Sequence, residues 1–158
     1  MVAMSFNRIM IALDESATAT RALEQGAALA SQLQASVALV YVVDTRLLIS
    51  QETGIPADRL SEEFEQLGKQ TLNAAATHVA RGAAPLEIVR AGDPVREILA
   101  AAHEWHADLL VLGTHARSGL ARMFVGSTAE GVLRRSSCPV LIVPDRDDQA
   151  SSPDAAQT

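Results

Sequence analysis

The segment Gly113-Thr114-His115-Ala116-Arg117-Ser118-Gly119, followed by Gly126-Ser127-Thr128, holds the residue types best suited to gripping an anion. Glycine lets a backbone come close to a ligand. A helix starting near Ser127 adds unpaired N–H groups and the positive end of a helix dipole. Between Gly113 and Ser137 stand Arg117, Arg122, Arg134 and Arg135 against the single acid Glu130. Four minus one makes this stretch +3, in a chain whose 13 Lys+Arg and 19 Asp+Glu leave a net charge of -6. A local reversal of sign suits an anionic ligand such as a polyphosphate. A purely structural reading competes with it. There Ser127 only caps its own helix, and Arg134 and Arg135 only complement that helix's C-terminus.

Other chemistries fit the residues poorly. A Walker-type phosphate loop needs a lysine after its glycines, and the single lysine, Lys69, sits mid-helix far from any Gly-rich turn. The same fact disfavours Schiff-base chemistry. No G-x-G-x-x-G follows the first apolar run, and no G-x-S-x-G elbow is present. His103, Glu104 and His106 invite a metal reading, but the histidines are three apart rather than four and no third ligand is evident. Cys138, before Pro139, reads as a small buried side chain. An acidic chain with one Trp, one Tyr and three Phe lacks the basic, aromatic surface that nucleic acid wants.

The elements that must position these residues alternate along the 158-residue chain. Ile9–Leu13, Val37–Val43, Leu109–Leu112 and Val140–Val143 are continuous apolar runs, the pattern of buried parallel strands. Leu86–Arg90 is mixed and reads as an edge strand. Helical spacing runs from 17 to 34 (Ala19, Leu23, Ala27, Ala30, Leu33) and from 57 to 80 (Leu60, Phe64, Leu67, Thr71, Ala74, Ala75). Asp93-Pro94 opens a third helix with Val95, Ile98, Leu99, Ala102 and Trp105 inside. Ser127-Thr128-Ala129-Glu130 has the capping-box pattern of a fourth, burying Ala129, Val132 and Leu133. Strands separated by helices imply right-handed crossovers and a parallel α/β sheet with helices on both faces. One domain over 5–145 is expected, with a disordered acidic tail over 146–158. The longest apolar run is far shorter than the roughly 20 residues that span a bilayer. One cysteine and no export-type apolar core point to a cytoplasmic protein without membrane contact.

Taken together, Gly113-Thr114-His115, Arg117-Ser118-Gly119, Gly126-Ser127 and Cys138-Pro139-Val140-Leu141-Ile142-Val143-Pro144 resemble the C-terminal half of universal stress proteins. Ile9–Asp14, Val40–Asp44 and Ala91-Gly92-Asp93-Pro94 are similar to that family's other landmarks. The family's ATP-binding members carry G-x2-G-x9-G-[ST]. Gly113 and Gly126-Ser127 match its ends, while Ala116 replaces its middle glycine. The resemblance implies a five-stranded parallel sheet of order 3-2-1-4-5, Rossmann-like, in a homodimer joined through strand 139–144. It implies ATP, with or without Mg2+, at the strand 1/strand 4 crevice: Ala12 and Val42 on the adenine and Asp14 on the ribose. Gly113, His115, Gly126, Ser127 and Thr128 surround the phosphates, with Arg117 as an extra charge partner, and Leu112 is a further cofactor-binding residue. It implies a signalling module, not an enzyme, with protein partners of unknown identity. The alternative is a dimer of the same type that has lost nucleotide and acts through those partners; Ala116 favours it.

Overall fold

Strands buried on both faces need apolar side chains at every position, and the continuous runs of the sequence fold accordingly. The computed structural model describes residues 5–46, 57–79, 83–114 and 125–144. The strands are β1 (Arg8–Leu13), β2 (Ser36–Asp44), β3 (Leu86–Gly92), β4 (Leu109–Gly113) and β5 (Val140–Val143). Helices α1 (Ala17–Leu33), α2 (Ala57–Val79), α3 (Pro94–Glu104) and α4 (Ser127–Arg135) lie between them. The five strands form one parallel sheet in the order β3-β2-β1-β4-β5. Met10, Leu39 and Leu110, on its three central strands, are all 0% exposed.

Side-chain alternation divides the core. Ile9, Ile11, Leu13, Leu39, Tyr41 and Val111 pack on the side of α1 and α2. Met10, Val40, Leu110 and Leu112 pack on the other side, with α3 and α4. Helix starts follow the cap chemistry of the sequence. Ser16 Oγ accepts from the Ala19 N–H at 3.1 Å, and Asp93 Oδ1 accepts from the Arg96 N–H at 3.0 Å with Pro94 next in line.

Several periodic positions fall elsewhere than the sequence predicts. Leu33 is 43% exposed, because a 17-residue helix outruns the six-residue strand it covers. Ala27 is half-buried; Ala22 and Gly26 complete the buried face of α1. In α2 the inward stripe is Leu60, Phe64, Gly68, Leu72 and Ala75, while Leu67 and Ala74 face outward. The glycine hides that register, since Gly68 rests on the Tyr41 ring with no side chain of its own. Leu133 is 51% exposed on α4, which packs on α3 and on the last strand of the sheet. Cys138 is half-buried against the α3/α4-side core rather than fully enclosed. Ser136 Oγ donates to its carbonyl at 2.7 Å.

The His103 and His106 rings lie 6.4 Å apart, and Glu104 is paired with Arg90. Among the described residues no three His, Cys, Asp or Glu side chains converge on a metal position. Nor is any described helix long and apolar enough to cross a membrane. The expected tail, 146–158, lies outside the described residues.

Gly26 sets how closely α1 approaches the sheet. A Cβ there would stand 2.7 Å from Ile11 Cδ1 and 2.9 Å from Cγ1, and Ile11 is 0% exposed with nowhere to move. Overpacking of this kind costs about 1–3 kcal/mol, against a gain of about 1 kcal/mol in helix propensity. Gly26→Ala should therefore lower the melting temperature in calorimetry by up to roughly 6 °C. A raised value contradicts this packing account.

Candidate functional site

The sheet comes apart at one place. The β1–β4 ladder ends at Ile11 opposite Val111. On either side the pairing runs on, to Leu13 opposite Tyr41 in β1–β2 and to Gly113 opposite Val143 in β4–β5. The carboxyl ends of β1 and β4 thus part where the order of the strands reverses. In open α/β sheets that reversal is where ligands bind. On the α1/α2 side the gap is closed by the first turn of α1. A Cβ on Gly113 would meet the Thr18 carbonyl oxygen at 2.6 Å and its carbonyl carbon at 2.7 Å. Gly113 is therefore required by its own fold, and the ligand-facing role expected of it concerns its other side.

On the α3/α4 side the gap opens onto three of the expected residues. Ala12 of β1, Val42 of β2 and Leu112 of β4 share this face and belong to one apolar cluster. Ala12 and Val42 are half-buried and Leu112 is buried. A graded wall of this sort, small and partly open, suits one face of a flat apolar ring.

The expected polar groups stand after β1 and at the start of α4. Asp14 follows β1 and is exposed. Its Oδ1 accepts from the Ser16 N–H at 2.8 Å and from the Ser16 hydroxyl. Ser16, not Asp14, caps α1. Gly126, Ser127 and Thr128 begin α4, with Gly126 and Thr128 half-buried and Ser127 exposed. Here the expected capping box does not form. Gly126 is the N-cap and has no side chain to cap the helix, and Glu130 instead pairs with Arg134 at 2.9 Å. The i,i+4 ion pair outcompetes the box because the cap position belongs to a glycine with no acceptor. The α4 N-terminus therefore takes no cap from its own N-cap residue, the arrangement that welcomes an anion.

The local excess of positive charge is only partly placed there. Arg134 and Arg135 lie in the last turn of α4, roughly 10 Å along the axis from Ser127, where they complement the helix C-terminus. His115, Ala116, Arg117 and Arg122 lie outside the described residues.

The structure adds a feature that sequence reasoning passed over. Asp44 ends β2, and Arg46 grips it with Nε to Oδ1 at 2.9 Å and Nη2 to Oδ2 at 2.8 Å. Arg46 Nη1 also reaches Asp93 Oδ2, on the cap of α3, at 3.2 Å. The Arg46 hydrogen bond holds the Asp44 carboxyl below the usual carboxylate range, against the opposing pull of desolvation. Asp44 is two residues beyond Val42 and so on the same face, which makes this clasp a charged border to the apolar wall. The Asp-x-Arg spacing just past a strand end was the available signal.

Comparison with known proteins places this geometry. The family model described as the universal stress protein family matches residues 5–144. The universal stress protein YxiE of Bacillus subtilis is 33% identical over 146 residues, covering 87% of this chain and 99% of that one. A solved structure from the universal stress protein family of Burkholderia pseudomallei superposes with a TM-score of 0.71 at 30% identity, covering 92% of this chain and 100% of that one. A universal stress protein solved in complex with cAMP gives 0.66 at 25% identity, covering 89% of this chain and 98% of the other. With its matching sheet order and nearly full-length similarity, the chain belongs to the universal stress protein family.

Proposed function

We propose that the protein is a dimeric signalling module that binds an adenine nucleotide, ATP with or without Mg2+, in the β1/β4 crevice. The observation that carries this reading is a juxtaposition. The apolar wall of Ala12, Val42 and Leu112 lies on the face of the sheet that α4 helps to cover, Asp14 follows β1, and the α4 N-terminus takes no cap from its own Gly126. A base, a charged tail and a ribose need those three environments. The related protein solved with cAMP supports the choice of an adenine ligand. A Mg2+ ion would neutralise phosphate charge beside Asp14, and the acceptor chemistry of that carboxylate fits it. We read the module as a binder with at most slow, incidental ATP hydrolysis, since among the described residues the crevice presents a wall and a carboxylate rather than a nucleophile with its base. A cytoplasmic home agrees with the single, unpaired Cys138.

A second reading, a family dimer without nucleotide that acts through protein partners, is favoured by Ala116 in place of the motif's middle glycine. Isothermal titration decides between them. The first reading expects saturable binding of ATP or AMP below millimolar, and Asp14→Asn should weaken it about tenfold, the value of roughly 1.4 kcal/mol. No saturation at millimolar nucleotide overturns the first.

Both readings include the dimer. Strand β5 ends the sheet, with Leu141 37% exposed on it and Leu133 51% exposed on the neighbouring α4. An apolar edge of this kind invites another copy of itself, and pairing two β5 strands would bury both. Leu141→Asp should convert a dimer into a monomer in sedimentation velocity; an unchanged dimer refutes pairing through 139–144.

A further inference from the structure

We infer that Gly131 is a positioning residue for the phosphate end of the crevice. Its missing side chain lets α4 seat closely against Val95 of α3, and that seat sets where the start of α4 meets the anionic tail of a nucleotide. This rests on the adenine-nucleotide reading above.

Gly131 is the fifth of the nine residues of α4. A glycine in mid-helix weakens the helix, so its place there calls for a reason. Backbone conformation supplies none, since the one glycine with a positive φ among the described residues is Gly92. Space supplies it. A Cβ at 131 would stand 2.7 Å from Val95 Cγ2 and 3.3 Å from Cγ1. With a side chain there, either α3 with its valine or α4 must give way.

Val95 is held on several sides. It follows Pro94, whose ring fixes φ, and Asp93, whose Oδ1 accepts from the Arg96 N–H at 3.0 Å. Arg46 Nη1 holds the other oxygen of Asp93 at 3.2 Å. A valine in a helix keeps largely to one rotamer, and this one packs against the core on the α3/α4 side. Helix α3 itself lies across β2 and β3, with Ile98, Ala101 and Ala102 buried. Helix α4 is shorter and packs chiefly on α3 and on β5, the last strand of the sheet. The displacement therefore falls on α4. Ser127 and Thr128 stand four and three residues before Gly131, so the three share one side of the helix. Whatever lifts Gly131 off Val95 moves the N–H groups at the helix start with it, and hydrogen bonds weaken steeply as distance and angle worsen. The wall of Ala12, Val42 and Leu112 belongs to the sheet and stays in place. The contact thus acts on the tail of a nucleotide and not on its base.

The test is the ratio of affinities for ATP and adenosine, measured by titration on the intact protein. The wild type should bind ATP about tenfold more tightly. Gly131→Ala should cut that ratio to within about threefold by weakening ATP, while adenosine binds as before. Helix propensity alone predicts the reverse, a firmer α4 and an equal or larger ratio, because alanine is the better helix former. Val95→Ala removes both Cγ atoms, so the double variant Val95→Ala/Gly131→Ala should regain most of the ratio, whatever Val95→Ala does to adenosine binding by itself. Melting temperatures taken in parallel report on the fold of each variant. The inference is overturned, with nucleotide binding intact, if Gly131→Ala keeps the tenfold ratio or loses both ligands together. It is overturned equally if the double variant stays as low as Gly131→Ala, or if the wild type binds ATP and adenosine alike. If the wild type binds neither, the nucleotide reading fails and takes this inference with it.

Discussion

The close contact between Gly113 and Thr18 governs the upper end of the molecule. With no Cβ at 113, the first turn of α1 seals the gap between β1 and β4 from one side. The two strands can then diverge after Ile11 and Val111 without leaving an opening through the sheet. Everything proposed to bind lies on the remaining, open side. A side chain at 113 would push α1 away from β4, and the Asp14 bend, which leads directly into α1, would move with it.

This constraint explains why the site is assembled from so few groups. Ala12, Val42 and Leu112 need only the strand alternation to face one way, because the ladder of a parallel sheet fixes their register. The α4 N-terminus needs only a helix begun by a glycine, which offers its donors no side-chain acceptor. On the border away from the crevice, Arg46 joins Asp44 to Asp93 and so links the end of β2 to the start of α3. The exposed guanidinium contributes little to stability in water, so its consequence is geometric.

Much of the architecture was legible in the sequence because it is written in the strongest signals. Runs such as Ile9–Leu13 and Leu109–Leu112 admit little besides a buried strand, and Asp93-Pro94 reads directly as a helix start. The wall residues were legible only through the family resemblance, since Ala12 and Val42 carry no chemistry of their own. What stayed hidden depends on contacts distant in sequence. Gly68 and Tyr41 are 27 positions apart, and a glycine has no hydropathy signal to mark the buried face of α2. The Ser127–Glu130 capping pattern misled because a local motif takes no account of Arg134, one turn further on, which claims the glutamate. Leu33 and Leu133 deceived for a common reason: helical period predicts a face, while the sheet beneath decides how much of that face is covered.

The central claim is that one crevice, on the α3/α4 side only, takes an adenine nucleotide. Amide chemical-shift mapping during an ATP titration tests it most directly. The account predicts saturable shifts centred on Ala12–Asp14, Val42, Leu112–Gly113, His115–Arg117 and Gly126–Thr128, with the outward face of α2 unchanged. Saturating shifts that cluster elsewhere, or none at millimolar ATP, contradict it.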